Sequence, residues 1–327
     1  MPSLSLSAWA LRRTIPFAVG VCAACASPRP AGAPPATAAP NYEAISFLGD
    51  TLRALPLPEA TRLRYEQQLA EARAELARSP DSPDALIWVG RRLGYLGRQH
   101  EAIATFTEGV RRFPNDARFL RHRGHRYITI RQLDAAIADL DRAARLVEGK
   151  PDEIEPDGQP NARNQPIGTL HSNIYYHLGL AYYLRGDFAR ALPVYERELR
   201  SAANDDRRVS VAHWNYMTLR RLGRDAEAAE LLRPFSRDMD VVENQAYHRL
   251  LLLYKGELPV DSLLSPGDGP MTVTEATAAY GVGNWHLYNG RRAEAERVFR
   301  RILAGGQWGA FGYAAAEADL ARLRATR

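Results

Sequence analysis

The sequence predicts an all-α protein, a right-handed superhelical solenoid of helix-turn-helix units. Two observations predict it. First, one 34-residue pattern is written twice between Pro83 and Lys150. Leu86, Gly90, Leu93, Ala102, Phe106, Gly109 and Pro114 are answered by Leu120, Gly124, Tyr127, Ala136, Leu140, Ala143 and Glu148, and only the last pair differs in type. Second, parts of the same pattern recur toward the C-terminus, and no stretch past residue 40 shows the period-two alternation of a strand. A fixed period of this size marks stacked supersecondary units, none of which can bury its apolar stripe alone.

The small residues carry the physical argument. Gly90 and Gly124 fall in the middle of helices, where glycine costs about 1 kcal/mol relative to alanine. That cost is tolerable where a second helix must approach closely. Ala102 and Ala136 supply the matching small face, and Leu93, Phe106 and Tyr127 fill the space between pairs by ridge-into-groove packing.

In chain order, Arg12 and Arg13 precede an apolar run, Thr14 to Ala24, of signal-peptide length and too short to span a bilayer. Cys22-Ala23-Ala24-Cys25 looks like a bacterial lipobox, which makes Cys25 the candidate lipidated residue and 1–25 the leader. Ala24-Cys25-Ala26 also fits ordinary secretory cleavage, and an uncleaved segment is the third reading. Residues 26–40 are rich in Pro and Ala and read as a tether. The two leading readings place the protein in the periplasm or anchored at the envelope.

Residues 41–327 read as the solenoid, about six helical pairs. Tyr42–Leu55 and Glu59–Ser79 are expected as two helices about Leu55-Pro56-Leu57-Pro58. The two clean units follow. An insertion loop, 149–170, holds Pro151, Pro156, Asp157-Gly158, Pro160 and Pro166, which exclude regular structure, and it starts acidic with Asp152, Glu153, Glu155 and Asp157. A third unit has Tyr175, Leu178, Gly179, Tyr182, Ala191 and Tyr195. A fourth has Trp214, Leu219, Gly223, Ala228 and Leu232, with Tyr216 where the glycine belongs. The fifth, Glu243 to Leu264, has a truncated second helix. The sixth is clean, with Ala279, Gly283, Leu287, Gly290, Ala295 and Phe299. Phe311 to Arg324 is expected as a capping helix, with Glu317, Asp319, Arg322 and Arg324 on a solvated outer face.

These residues resemble the tetratricopeptide repeat (TPR) family, in particular its exported bacterial members. The resemblance implies a concave groove lined by first-helix side chains, here Arg91, Arg121, His125, Asn173, Tyr176, Tyr183, His213, Arg220, Tyr280 and Asn284. It also implies that Arg91, Arg121 and His125 stand where some members clamp a peptide carboxylate, although the full clamp pattern is absent. Arg121-His122-Arg123-Gly124-His125-Arg126 places Arg123 where an apolar residue is usual. A buried arginine needs a partner, and the acidic start of the loop is expected to fold back onto this helix.

The totals narrow the function. The formal net charge of +5 is too mild to argue for nucleic acid, and the two cysteines both lie in the leader. No phosphate loop, HExxH or nucleophile elbow is present. The reading is therefore a non-enzymatic scaffold binding a protein or peptide segment, with no catalytic residue, metal or cofactor and with membrane contact only through the lipid anchor. Two alternatives stay open: a hydrolase or metal-dependent enzyme around His125, His171 and His213, and a structural protein that self-associates through its end repeats. Mass spectrometry of the mature protein is expected to find a lipidated Cys25 as first residue. An unmodified chain starting at Ser27 overturns that expectation.

Overall fold

The computed structural model describes residues 42–264 and 269–326, so the leader, the tether and Cys25 lie outside the described residues. The described residues form a short hairpin, β1 (Ala44–Ile45) and β2 (Thr51–Leu52), then thirteen α-helices. These are α1 (Glu59–Arg78), α2 (Pro83–Tyr95), α3 (Gln99–Arg112), α4 (Ala117–Thr129), α5 (Leu133–Val147), α6 (Leu170–Arg185), α7 (Phe188–Ser201), α8 (Asp205–Arg221), α9 (Asp225–Leu231), α10 (Gln245–Tyr254), α11 (Val273–Tyr288), α12 (Arg292–Ala304) and α13 (Phe311–Ala325). The all-α solenoid is as the sequence predicts.

The expected helix over 42–55 is not formed. Turn chemistry wins there. Ser46 Oγ accepts from the backbone N–H groups of Leu48 and Asp50 at 3.2 and 3.0 Å, and Gly49 adopts φ +94°, which a residue with a Cβ rarely enters. Ala44 and Leu52 still reach the main core. The Glu43 carboxylate accepts from the backbone N–H groups of Gln99 and His100 at 2.9 and 3.3 Å. It thereby caps α3, whose own N-cap residue, Arg98, makes no side-chain capping bond.

Five of the first helices start on side-chain caps, on Ser82, Asp116, Thr169, Asn204 and Thr272, those on Thr169 and Thr272 as full capping boxes, whereas α10 starts without one. Successive first helices touch one another, α2 to α4, α4 to α6 and α6 to α8, and so form the inner layer.

The notch expected at the mid-helix glycines is present and regular. A Cβ on Gly90 would lie 2.4 Å from the Phe106 ring, on Gly124 2.7 Å from Leu140, on Gly179 2.5 Å from Tyr195 and on Gly283 2.6 Å from Phe299. Each partner is the same place on the second helix of its unit. Where Tyr216 replaces the glycine, the second helix α9 stops at Leu231, one residue short of the equivalent partner Leu232. The Tyr216 ring stacks on Tyr254 instead, with centroids 4.4 Å apart.

The turns inside the units use a left-handed residue: Gly97, Gly186, Gly223, Gly256 and Gly290. The turn between α4 and α5 uses Arg131, at φ +67°.

α13 is not the solvated cap that its charges suggest. Residues 312 to 320 are all buried, and α13 packs against α6, α11 and α12 along the inner layer. Its Gly312, Ala314, Ala315, Ala316 and Ala318 make it slim enough to enter. A Cβ on Gly312 would lie 2.5 Å from the Ala276 carbonyl oxygen. Glu317 and Asp319 are 1% and 0% exposed. The Arg131 guanidinium meets Glu317 with two hydrogen bonds, 2.9 and 3.0 Å, and donates also to the carbonyls of Thr129 (2.6 Å) and Trp308 (2.8 Å). Asp319 accepts from Arg221 (2.9 Å), Arg322 (2.7 Å) and the Tyr280 hydroxyl (3.0 Å).

Arg131→Gly relaxes the backbone by about 1 kcal/mol or more but strips Glu317 of its cation. Leaving one member of a buried pair unpaired costs about 3–5 kcal/mol. The variant is expected to lose stability in urea unfolding, and an unchanged or higher midpoint would refute the role given to the pair.

Candidate functional site

The filling of the inner layer by α13 decides what remains open. A cleft of about 370 Å³ lies at the N-terminal side of α13. It is lined by Arg91 and Tyr95 of α2, Arg121 of α4, Asn173, Tyr176 and His177 of α6, Arg207 of α8, Asn244 and Tyr247 at α10, and Phe311. Asp206, at the start of α8, accepts from the backbone N–H groups of Val242, Glu243 and Asn244, each at 2.8 Å, which sets the entry of α10 at the cleft wall.

The insertion loop straps this cleft. Its two ends run antiparallel: Glu155 N–H donates to the Gly168 carbonyl at 3.0 Å and Leu170 N–H to Glu153 at 2.8 Å. Between them the chain reaches across the opening. Arg91 donates to the Pro156 carbonyl at 2.9 Å and Arg92 to the Gly158 carbonyl at 3.1 Å. On the other side, Arg163 pairs with Asp240 and Asn161 Nδ2 donates to Glu243 at 2.6 Å. The Glu155 carboxylate points inward. It sits 2.9 Å from Arg121 Nη2 and accepts from Asn173 Nδ2 at 3.1 Å. The expected fold-back of the acidic loop onto the basic helix is therefore present, through Arg121 alone. Arg123 instead pairs with Asp139 of α5, and Arg126 donates to Gln99 at 3.2 Å.

The electrostatics are those of a cationic interior. Burial lowers the guanidinium pKa of Arg121, which Glu155 partly restores. Arg207 is 8% exposed, as is Arg121. It donates to the Ser172 carbonyl at 3.0 Å and pairs with the fully buried Glu198. The Nε atoms of both arginines and Oδ2 of Asp157 find no hydrogen-bond partner within the protein. Burial raises the carboxyls of Asp157 and Glu243.

The predicted groove residues divide by position. Arg91, Arg121, Asn173 and Tyr176 come together at the cleft. His125 lies behind its wall, with its ring 4.4 Å from His177 and 5.3 Å from Phe311. Tyr183, Tyr280 and Asn284 face inward but meet α13 and its partners, so they are no open groove: the Tyr280 hydroxyl donates to Asp319 and shares a hydrogen bond with the Tyr183 hydroxyl at 2.9 Å, and Asn284 accepts from Arg221 at 3.1 Å. His213 is buried between Tyr247 and Tyr254. Arg220 stacks on Tyr288 at 4.3 Å and donates to Tyr216 and Asn289, away from the cleft. His125, His171 and His213 form no common group, and among the described residues no set of three His, Cys, Asp and Glu side chains is placed to hold a metal ion. The sequence reading missed Tyr95 and Arg207. Arg207 lies in the polar opening turn of α8, where nothing local distinguishes it from a solvated residue.

Stacked antiparallel helical hairpins with a charged inner face define a repeat solenoid. The family model for the tetratricopeptide repeat matches residues 172–205, which span α6 and α7, so the chain carries that family's repeat. No curated protein sequence matches the chain. Solved structures similar to it include YrrB, described as a TPR protein with an unusual peptide-binding site, at 15% identity and TM-score 0.41, covering 71% of this chain and 90% of that one. A tetratricopeptide repeat protein from Parabacteroides merdae has 15% identity and TM-score 0.46, covering 74% and 87%. MamA has 17% identity and TM-score 0.39, covering 62% and 98%.

The histidines make stability depend on pH. Burial holds His122, His125 and His177 well below the ordinary imidazole value, with neighbouring arginines adding to the effect, and burial takes His213 to about 3. All four are neutral in the folded chain, while the unfolded chain takes up protons as pH falls through about 6.5. Their contribution is complete above that value and is lost below it, at about 1.4 kcal/mol per histidine per pH unit. Glu198 works the other way. Burial pushes its carboxyl up to about 7 against the pull of Arg207, so its contribution grows as pH falls from 7 toward the usual carboxylate range. Four groups outweigh one. The urea midpoint is expected to fall between pH 7 and pH 5.5, and less steeply in His213→Leu. A flat profile would contradict the neutral assignment.

Proposed function

We propose that this protein is a non-enzymatic scaffold that binds an extended protein or peptide segment at a bacterial cell envelope, exported and tethered through Cys25. One observation carries the binding half of the reading. An extended piece of the chain's own backbone, 153–158, already lies along the inner faces of α2, α4 and α6, held by side-chain donors to two carbonyls and one carboxylate. A surface built of arginine forks, an asparagine and tyrosines suits main-chain carbonyls and acidic groups. Arginine and tyrosine are also enriched among residues that dominate protein-binding energetics. The leader and the Pro/Ala-rich tether support the envelope half.

The test is selection of a random peptide library on the tetherless protein, residues 41–327. Enriched peptides are expected to bind at the cleft, so that Arg91→Ala weakens them by about tenfold, the effect of one charge-assisted hydrogen bond. Arg91 is only partly buried, so this variant is expected to keep the fold. Absence of enrichment, or enriched peptides indifferent to Arg91→Ala, would overturn the reading.

A further inference from the structure

We infer that the segment bound at this cleft is an acidic one, and that residues 153–158 are its intramolecular stand-in, competing for the same donors. The inference rests on the binding function just proposed and names the chemistry of the partner and the regulation of its site.

The inner end of the cleft is built for one carboxylate. Arg121 and Asn173 converge on the two oxygens of Glu155, Arg121 to Oε1 at 2.9 Å and Asn173 to Oε2 at 3.1 Å. His122 Nε2 stands 3.9 Å from Oε1, and burial with the nearby arginines keeps that imidazole neutral. The carboxylate is thus held by one cation and one amide, in a pocket that is nearly closed to solvent. The backbone that carries it is paired at its start with Gly168 and Leu170 and held at its outer edge by Arg91 and Arg92, which bind two carbonyls. The neighbouring side chain Ile154 is 68% exposed. The packing of the strap is therefore polar and shallow, with one deep contact.

The strap leaves polar groups unused, two donors and one acceptor. The buried Nε atoms of Arg121 and Arg207 have no partner within the protein, and Asp157 contributes an Oδ2 that has none either. The cleft also extends beyond the strap to Ser210, Tyr247 and Phe311. A longer segment that places its own carboxylate where Glu155 sits, and continues toward Arg207, makes every contact of the strap and adds more. This is the condition for displacement. A tethered occupant acts at an effective concentration of about millimolar, so a free peptide making only the same contacts is largely excluded while the strap is in place.

The experiment uses the strap itself as the probe. A labelled synthetic peptide of residues 151–160 is titrated by fluorescence anisotropy against the protein, residues 41–327, and against the same chain with 153–158 replaced by Gly and Ser. Matching circular dichroism establishes that the replaced chain is folded. The peptide is expected to bind the replaced chain at least about tenfold more tightly than the intact one, and to lose about tenfold when its Glu155 is Gln. Should the replaced chain fail to fold, Glu155→Ala in the intact chain serves in its place, with the same expected ratio. Equal binding of the Glu and Gln peptides, or no binding to a folded strap variant, overturns the inference. The two readings fail separately. If selected peptides bind the cleft but carry no acid, the scaffold stands and the acidic partner falls. If no peptide of any kind binds the folded variant, both fall.

Discussion

Arg131 and Glu317 meet deep in the protein, and the arrangement of everything around them depends on that meeting. Arg131 stands at a turn between paired helices where the other units use glycine, in a backbone conformation that costs a side chain about 1–2 kcal/mol. What is gained is a guanidinium delivered from the end of α4 into the hollow of the solenoid. There it binds Glu317 in two places and also holds the carbonyls of Thr129 and Trp308. Asp319, two residues further along α13, repeats the device with Arg221 and Arg322. A buried carboxylate is tolerable only with such partners. The two pairs fix α13 lengthwise, while its alanines let the backbone come close. Phe47 N–H, from the N-terminal hairpin, also reaches Glu317 at 3.4 Å. The two ends of the described chain are thereby joined to its middle.

The outer architecture follows a simpler rule. A glycine on the first helix receives a ring or branched side chain from the second at the same offset in four units. The fourth unit shows the rule by breaking it. With Tyr216 in the notch, the second helix α9 is short, ending at Leu231 just ahead of Pro234, and the tyrosine stacks across to α10. The segment from α9 to α10 is held by Leu232, Phe235 and Val241 in the main core and by Asp206 with its three backbone donors.

Filling the hollow also concentrates arginine. Arg121, Arg207 and Arg131 are buried together with four histidines kept neutral by burial, three of them also by nearby arginine. The carboxylates that answer them come from far along the chain: Glu155 from the loop, Glu198 from α7, Glu317 from α13. Such pairs specify where distant segments sit more than they add stability. At the cleft the same chemistry is only partly satisfied, and that is what leaves room for a guest.

The sequence by itself determined the repeat, the glycine notches, the polar insertion and the opposite charges of the loop and the α4 helix. These are local or periodic features, and close packing needs small residues at fixed spacing wherever it recurs. The shared face of Arg91, Arg121, Asn173 and Tyr176 was implied by the resemblance to the repeat family. Only the tertiary structure decided that α13 turns inward. Glu317, Asp319 and Arg322 look the same in sequence whether they meet water or arginine, and an alanine-rich helix carries little apolar stripe to reveal its buried side. For the same reason Tyr183, Tyr280 and Asn284, which the resemblance assigns to a groove, are contacts of that helix and its partners. Short turns escaped as well. Ser46, Gly49 and Arg131 act through single backbone conformations, which no periodicity records.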